Sequence, residues 1–372
     1  MTLIVVALLA VVVAPAAGGK PGPSTPPLVD KGLIYYLAYF DRYSMETNGT
    51  GKTLLPVTGV PSQGLHDGER WFLDLKPMDT GDEYPIRTTY PSDPVPRHEL
   101  FLENESGTVS VQLTEAPDLE PAGATRVDDD RYYFFAGLAW AVEGSEVDGK
   151  VSYVACRWGT DADGNDIPVE KGFYAVTLDW DAIHSGNFTP VDPELITDVP
   201  VDFITNTTFL YDLMAIYDWS PDGTRLVYVR PRYPTSTGAY QPIDLWIATV
   251  GGEDAALFVE DANNPSWSST DRIAFNVNLT GSWNLDIKAI DPDGTDLATI
   301  VPAPAGKKGQ PSDTKSACVP RWSPSATYLV YYFYDLEKHT EDLYRVAADG
   351  SGVTNLTADI DYVWWESFFW RP

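Results

Sequence analysis

The sequence predicts an all-β chain, a β-propeller of six four-stranded blades, or seven if Ala124 to Phe135 forms a hairpin of its own. Three observations predict it. A unit built around Trp219, Trp267 and Trp322 recurs at roughly 50 residues, the size of a four-stranded sheet with short hairpins. Aromatic residues make up 13% of the chain, and 29 Gly and 30 Pro punctuate it, which suits short strands and tight turns better than long helices. The two ends of the chain also complement each other: the first sheet lacks its innermost strand and the last segment is a surplus one.

From the amino terminus, Leu3 to Ala14 is wholly apolar and runs into Ala14-Pro15-Ala16-Ala17, the small residues that a signal peptidase requires. Residues 1–17 therefore read as a secretory signal, although no Lys or Arg precedes the apolar run. Either the true start lies upstream or the free amino terminus supplies the positive charge. The run is shorter than the ~20 residues that span a bilayer as a helix, and no cysteine follows it to carry a lipid. No stable membrane anchor is expected. Residues 18–28, rich in Gly, Pro and Ser, read as a flexible leader into one domain at 29–372, outside the cytoplasm, periplasmic or secreted.

The domain begins with a degenerate copy, Gly32 to Phe40 followed by Tyr43 to Thr50, Leu54 and Thr58. A second runs from His66-Asp67-Gly68 through Trp71-Phe72-Leu73 and Glu99 to Leu102, ending at Val109 to Thr114. A third, enlarged by an insertion, centres on Trp140, Asp148-Gly149, Val151 to Ala155 and Phe173 to Leu178. The fourth is the clearest: Asp218-Trp219-Ser220-Pro221-Asp222-Gly223, the apolar run Leu226 to Val229, Asp244-Leu245-Trp246-Ile247, and a turn at Gly251-Gly252. The fifth repeats it from Trp267 to Asp293-Gly294, and the sixth from Trp322 to Asp349-Gly350 and Asn355-Leu356-Thr357. Each Asp-Gly pair supplies the positive φ of a tight hairpin. Each Trp is placed to fill the widening gap between neighbouring sheets, which must stack because no single sheet buries both faces alone. The surplus strand, Tyr362 to Ser367, is expected to pair with the first sheet and close the ring.

Residues 211–358 resemble the TolB-like propeller repeat, whose signature is a Trp-Ser-Pro-Asp-Gly turn, an apolar strand, an Asp-aliphatic-Tyr strand, an Asp-Gly turn and a Leu-Thr close. The resemblance implies a non-enzymatic binding or scaffold protein with a protein or peptide partner. Some similar propellers are lyases that hold a metal on clustered histidines, and another caps a serine peptidase. His66, His98, His184 and His339 are scattered over different units, and no Gly-x-Ser-x-Gly elbow is present. No catalytic residues and no cofactor are therefore expected. The alternative is an extracellular polysaccharide-acting enzyme or carbohydrate-binding propeller, with carboxylates and aromatics converging on the channel mouth.

The remaining candidates are local. A formal charge of −29 repels phosphate backbones, so nucleic acid is not an expected partner; the acidic surface otherwise serves solubility or adaptation to salt. Asp161, Asp163 and Asn165 alternate as oxygen ligands for calcium would, but the glycine comes too early for an EF-hand, and a solvated turn is the competing reading. Cys156 and Cys318 read as two buried thiols or a long-range disulfide. Asn-x-Ser/Thr motifs occur at Asn48, Asn104, Asn187, Asn206, Asn278 and Asn355. The cluster Trp364, Trp365, Phe368, Phe369 and Trp370 reads as core at the ring closure or as an exposed patch. Pro77 to Pro96, Arg232 to Pro242 and Ala303 to Lys315 are the candidate partner-facing segments.

Overall fold

A computed structural model describes residues 32–38, 41–58, 62–66, 69–77, 83–84, 95–96, 98–114, 136–140, 149–160, 166–190, 194–197, 217–232, 243–251, 254–278, 285–305, 312, 314–360, 363 and 368–371. In chain order the elements begin with β1 (Leu33–Ala38), β2 (Asp41–Glu46) and β3 (Thr53–Thr58). Next come β4 (Ser62–His66), β5 (Glu69–Pro77), the small pair β6 (Glu83–Tyr84) and β7 (Val95–Pro96), then β8 (His98–Asn104) and β9 (Ser110–Gln112). The enlarged unit holds β10 (Ala136–Trp140), β11 (Lys150–Thr160), β12 (Asp166–Thr177), helix α1 (Trp180–Ser185) and β13 (Glu194–Thr197). The three clear copies follow. They are β14 (Tyr217–Trp219), β15 (Arg225–Pro231), β16 (Ile243–Thr249) and β17 (Ala256–Val259); then β18 (Ala262–Trp267), β19 (Ile273–Asn278), β20 (Leu285–Ile290) and β21 (Ala298–Val301); then β22 (Lys315–Trp322), β23 (Tyr328–Asp335), β24 (Thr340–Ala347) and β25 (Thr354–Asn355), with β26 (Phe368–Arg371) last.

Among the described residues these strands form six four-stranded antiparallel sheets and the β6–β7 pair. Five sheets run in chain order, and one takes the order β26-β1-β2-β3, so the last strand enters the first sheet. The leading strands touch one another in sequence: β4 with β10, β14 with β18, β18 with β22, and β26 with both β22 and β4. Between the third and fourth sheets, Trp219 Nε1–H donates to Ser152 Oγ (2.8 Å) and Phe173 meets Tyr217 edge-on (4.7 Å between centroids). The sheets thus stand as blades around an axis, a β-propeller with its ring closed by the two ends of the chain.

Closure comes later in the chain than the sequence suggested. The pairing strand is Phe368–Arg371, not Tyr362 to Ser367. The cause is the tryptophan. Trp370 stands opposite Ile34 as Trp219 stands opposite Leu226, Trp267 opposite Ile273 and Trp322 opposite Leu329. Trp370 is therefore a further copy of the repeat tryptophan, and burying it in the gap between blades fixes the register. Phe368 and Trp370 are both core residues; the side chains of Trp364, Trp365 and Phe369 lie outside the described residues, as does the hairpin proposed for Ala124 to Phe135.

The core is divided into wedges between blades. Trp322 packs with Ala274, Ile287 and Ile300 of one sheet and Leu329 and Val346 of the next. Trp267 joins Val227 and Leu245 to Ile273 and Phe275, and Trp370 joins Ile34 and Met45 to Val330 and Leu343. Trp71 fills the corresponding gap against Val151, Tyr174 and Val176. Each gap widens away from the axis, and an indole with its ~150–250 Å² of buried surface fills it better than an aliphatic residue. Cys318 lies in one of these wedges as a free, buried thiol, its ionisation pushed up to about 12 by burial. The side chain of Cys156 lies outside the described residues.

Candidate functional site

The strand order gives the ring two different ends. At one end lie the hairpins that follow the first and third strands of each blade, and most are tight. In the fourth blade Asp222 Oδ1 accepts Ser220 Oγ–H (2.5 Å) and the N–H (3.0 Å) and hydroxyl (2.8 Å) of Thr224, while Gly223 takes φ 68°. The Ser220 hydroxyl first, then the Thr224 amide, holds the Asp222 carboxyl down at about 2. Asp293 with Thr295 and Asp349 with Ser351 repeat the device, and both carboxyls are held below their ordinary range by those hydroxyls. The exceptions at this turn end are the 141–149 connection and the β12–β13 connection. The latter carries α1, capped by Asp179 accepting the Ala182 N–H (3.0 Å) and closed by Gly186 at φ 72°.

At the opposite end lie the connections after the second and fourth strands, and here the long ones gather. Pro77 pairs with His98, Thr160 with Asp166, and Pro231 with Ile243, so the segments between those pairs all leave from this end. The connections β9–β10, β13–β14, β21–β22 and β25–β26 leave from it too. Ordered contacts hold several of their bases. Arg232, which opens the 232–242 segment, donates from Nη2 to buried Asp244 (2.5 Å) and to Asp261 (3.1 Å), and the bond to Asp244 raises the guanidinium pKa still further. Lys315, which closes the 303–315 segment, pairs with buried Asp335 at 3.2 Å. The Asp286 carboxylate accepts the Ala303 N–H (2.5 Å), and the Ser312 N–H donates to Pro304 O (3.0 Å).

Asp244, Asp286 and Asp342 occupy the same repeat position, the aspartate of the third strand, and the same role. Each ties its strand to the segment leaving the fourth strand, through the Asp261 N–H (2.9 Å), the Ala303 N–H (2.5 Å) and the Thr357 hydroxyl (3.0 Å). The Leu-Thr close works alike in the weak second copy: Thr114 Oγ1 accepts the Leu100 N–H (3.0 Å) as Thr357 Oγ1 accepts the Leu343 N–H (2.9 Å). These residues are framework.

Along the axis, the leading strands β18 and β22 each carry a bulge before a proline, with Asn264 at φ 51° and Val319 at φ 52°. For valine, branched at Cβ, this is a strained conformation. Asn276, fully buried, holds it: Oδ1 accepts the Val319 N–H (2.9 Å) and Nδ2 donates to Ala317 O (3.0 Å). One blade thereby fixes the leading strand of the next. The backbone N–H of Trp267 donates to Asp218 Oδ2 (2.7 Å) and that of Trp322 to Ser266 Oγ (3.3 Å), the same hand-over from blade to blade.

TolB from Acinetobacter baumannii has the same arrangement: the structures align with a TM-score of 0.53 and 13% identity, over 92% of this chain and 67% of that one. The fold is a TolB-like β-propeller. The β-propeller domain of the Trilobed protease from Pyrococcus furiosus aligns at TM-score 0.44 and 10% identity, over 88% of this chain and 82% of that one. An oligogalacturonate lyase from Vibrio parahaemolyticus aligns at TM-score 0.42 and 12% identity, over 87% and 72%. No protein-family model matches the chain, and no curated protein matches it.

In this TolB-like propeller the repeat residues Trp219, Asp222, Gly223, Trp267, Trp322, Asp349 and Gly350 hold turns and inter-blade gaps. The proposed calcium ligands Asp161, Asp163 and Asn165 lie outside the described residues, between the paired Thr160 and Asp166. Among the described residues no group of three His, Cys, Asp or Glu stands close enough to hold a metal ion, and no helix is long and apolar enough to cross a membrane. His184 is exposed and stacks on Trp180 (5.9 Å), and His339 sits in an exposed connection; the side chains of His66 and His98 lie outside the described residues. Sequence reasoning missed Asn276, whose only signal was a polar residue within the otherwise apolar run Ile273 to Val277.

Proposed function

We propose that this chain is an exported, non-enzymatic binding or scaffold protein that presents the long-connection end of its propeller to a protein or peptide partner outside the cytoplasm. The observation that carries the reading is the asymmetry between the two ends. Pro77 to Pro96, Arg232 to Pro242 and Ala303 to Lys315, picked out for their Pro and Tyr content, all leave from one end. A rigid ring that gathers long connections on one side suits recognition, because the frame bears no ordering cost when a partner docks. The charged clamps Arg232–Asp244 and Lys315–Asp335 fix where two of those segments start and finish. Tyrosines at Tyr84, Tyr90, Tyr233 and Tyr240 supply contact area at low entropic cost.

The test is replacement of residues 233–241 by a short Gly-Ser turn in the native host, followed by affinity capture and mass spectrometry. The expected result is loss of a partner captured by the wild type, with the melting temperature unchanged. Capture of the same partner set after each of the three segments has been replaced in turn would refute the reading.

A further inference from the structure

The sequence carries six Asn-x-Ser/Thr motifs, and the fold distinguishes those it describes. Asn104 is buried, with its amide nitrogen donating to Thr108 Oγ1 (2.9 Å) and its Oδ1 accepting the Val109 N–H (2.9 Å). At Asn355 the acceptor threonine is the obstacle: Thr357 is fully buried and its hydroxyl is committed to Asp342 (3.0 Å). Asn187 is exposed, but its amide nitrogen donates to Ser185 Oγ (3.1 Å). Asn206 and the side chain of Asn278 lie outside the described residues.

Asn48 differs from all of these. It sits in the turn between β2 and β3, and both Asn48 and Thr50 are exposed. Its Oδ1 accepts the N–H (2.9 Å) of Thr50 and lies 2.7 Å from the Thr50 hydroxyl, which it shares with the Glu46 carboxylate (2.9 Å), so the amide and the hydroxyl of the motif already face each other. No described residue accepts a hydrogen bond from its Nδ2. The intervening Gly49 is buried with φ 88°, and its N–H donates to Glu46 O (2.8 Å), which fixes the turn while Asn48 and Thr50 on either side stay exposed.

We propose that Asn48 is an N-glycosylation acceptor; the proposal rests on the export proposed above. The co-substrate is an oligosaccharide carried on a polyprenyl phosphate or pyrophosphate. Asn48 Nδ2 forms the bond to the anomeric carbon, the anomeric C–O bond to phosphate breaks, and the lipid phosphate leaves with the electron pair and takes up the proton that the amide gives up. Asn48 lies at the turn end, so the glycan stands away from the long connections and leaves them open to a partner.

The test is peptide mass spectrometry with electron-transfer fragmentation on the full-length protein isolated from its native cells, with the new amino terminus sequenced in the same sample. The expected result is a glycan mass on the peptide containing Asn48, lost in N48Q and in T50A, with the Asn104 and Asn355 peptides bare. A processed amino terminus with Asn48 unmodified overturns the glycosylation alone. An unprocessed protein retained in the cytoplasm overturns both it and the export reading. Glycan on Asn104 or Asn355 overturns selection by the fold.

Discussion

Gly350 and Gly294 occupy the same turn in adjacent blades and share φ 85°, yet only one of them is crowded. A Cβ on Gly350 would lie 2.8 Å from Ile300 O of the preceding blade, whereas a Cβ on Gly294 would meet nothing within 4 Å. Ordinary carbon–oxygen contact begins at about 3.3 Å, so G350A must push its turn away from β21 by roughly half an ångström. Both substitutions incur the left-handed backbone cost, about 1–2 kcal/mol. G350A adds the clash, of the same order as overpacking a core, about 1–3 kcal/mol. Equilibrium denaturation in urea should therefore give a loss of about 1–2 kcal/mol for G294A and about 2–5 kcal/mol for G350A. Equal losses for the two variants would refute the idea that the third-strand turn of one blade leans on the outer strand of the blade before it. Gly49 supports the same geometry, since a Cβ there would lie 2.9 Å from Leu356 O.

The axis and the turns make further predictions. N276A strips the Val319 N–H of its acceptor and Ala317 O of its donor, and should destabilise the protein by about 3 kcal/mol in calorimetry; a loss below about 1 kcal/mol would show that the bulge needs no clamp. Asp222 is held at about 2, below its ordinary 3.8, by the Ser220 hydroxyl and the Thr224 amide. A depressed folded pKa gives stability that is present above the unfolded value and lost as pH falls through the folded one. Thermal melts between pH 5 and pH 2 should thus show a steeper fall for wild type than for D222N, with most of the difference arising below about pH 4, and parallel curves would contradict the assignment.

The parts of the fold that were legible in sequence are those whose chemistry is local. Trp-Ser-Pro-Asp-Gly at 219–223 announces itself because a proline, a side-chain acceptor and a positive-φ glycine are needed within a few residues of one another. The weak second copy was traceable for a related reason, because its Leu113-Thr114 keeps the same bonds to Leu100 as the strong copy's Leu356-Thr357 keeps to Leu343. Trp370 was hidden as a repeat tryptophan because Arg371-Pro372, not Ser-Pro-Asp-Gly, follows it, and its partner Ile34 is more than three hundred residues away in sequence. Asn276 and the left-handed Val319 were hidden for another reason. Each is set by a contact with the next blade, and a valine gives no sign that its φ will be positive. The partner proposed for the long-connection end is less legible still, since those connections follow no repeat.

Docking at the long-connection end is tested by comparing the two ends of the ring in living cells. A photo-crosslinking amino acid is placed at Lys338, exposed in the β23–β24 connection, and in a second variant at Ser351, exposed in the β24–β25 turn of the same blade. If the long-connection end is the docking face, position 338 crosslinks to a discrete protein and position 351 to none. Crosslinks from 351 with none from 338 would contradict that reading.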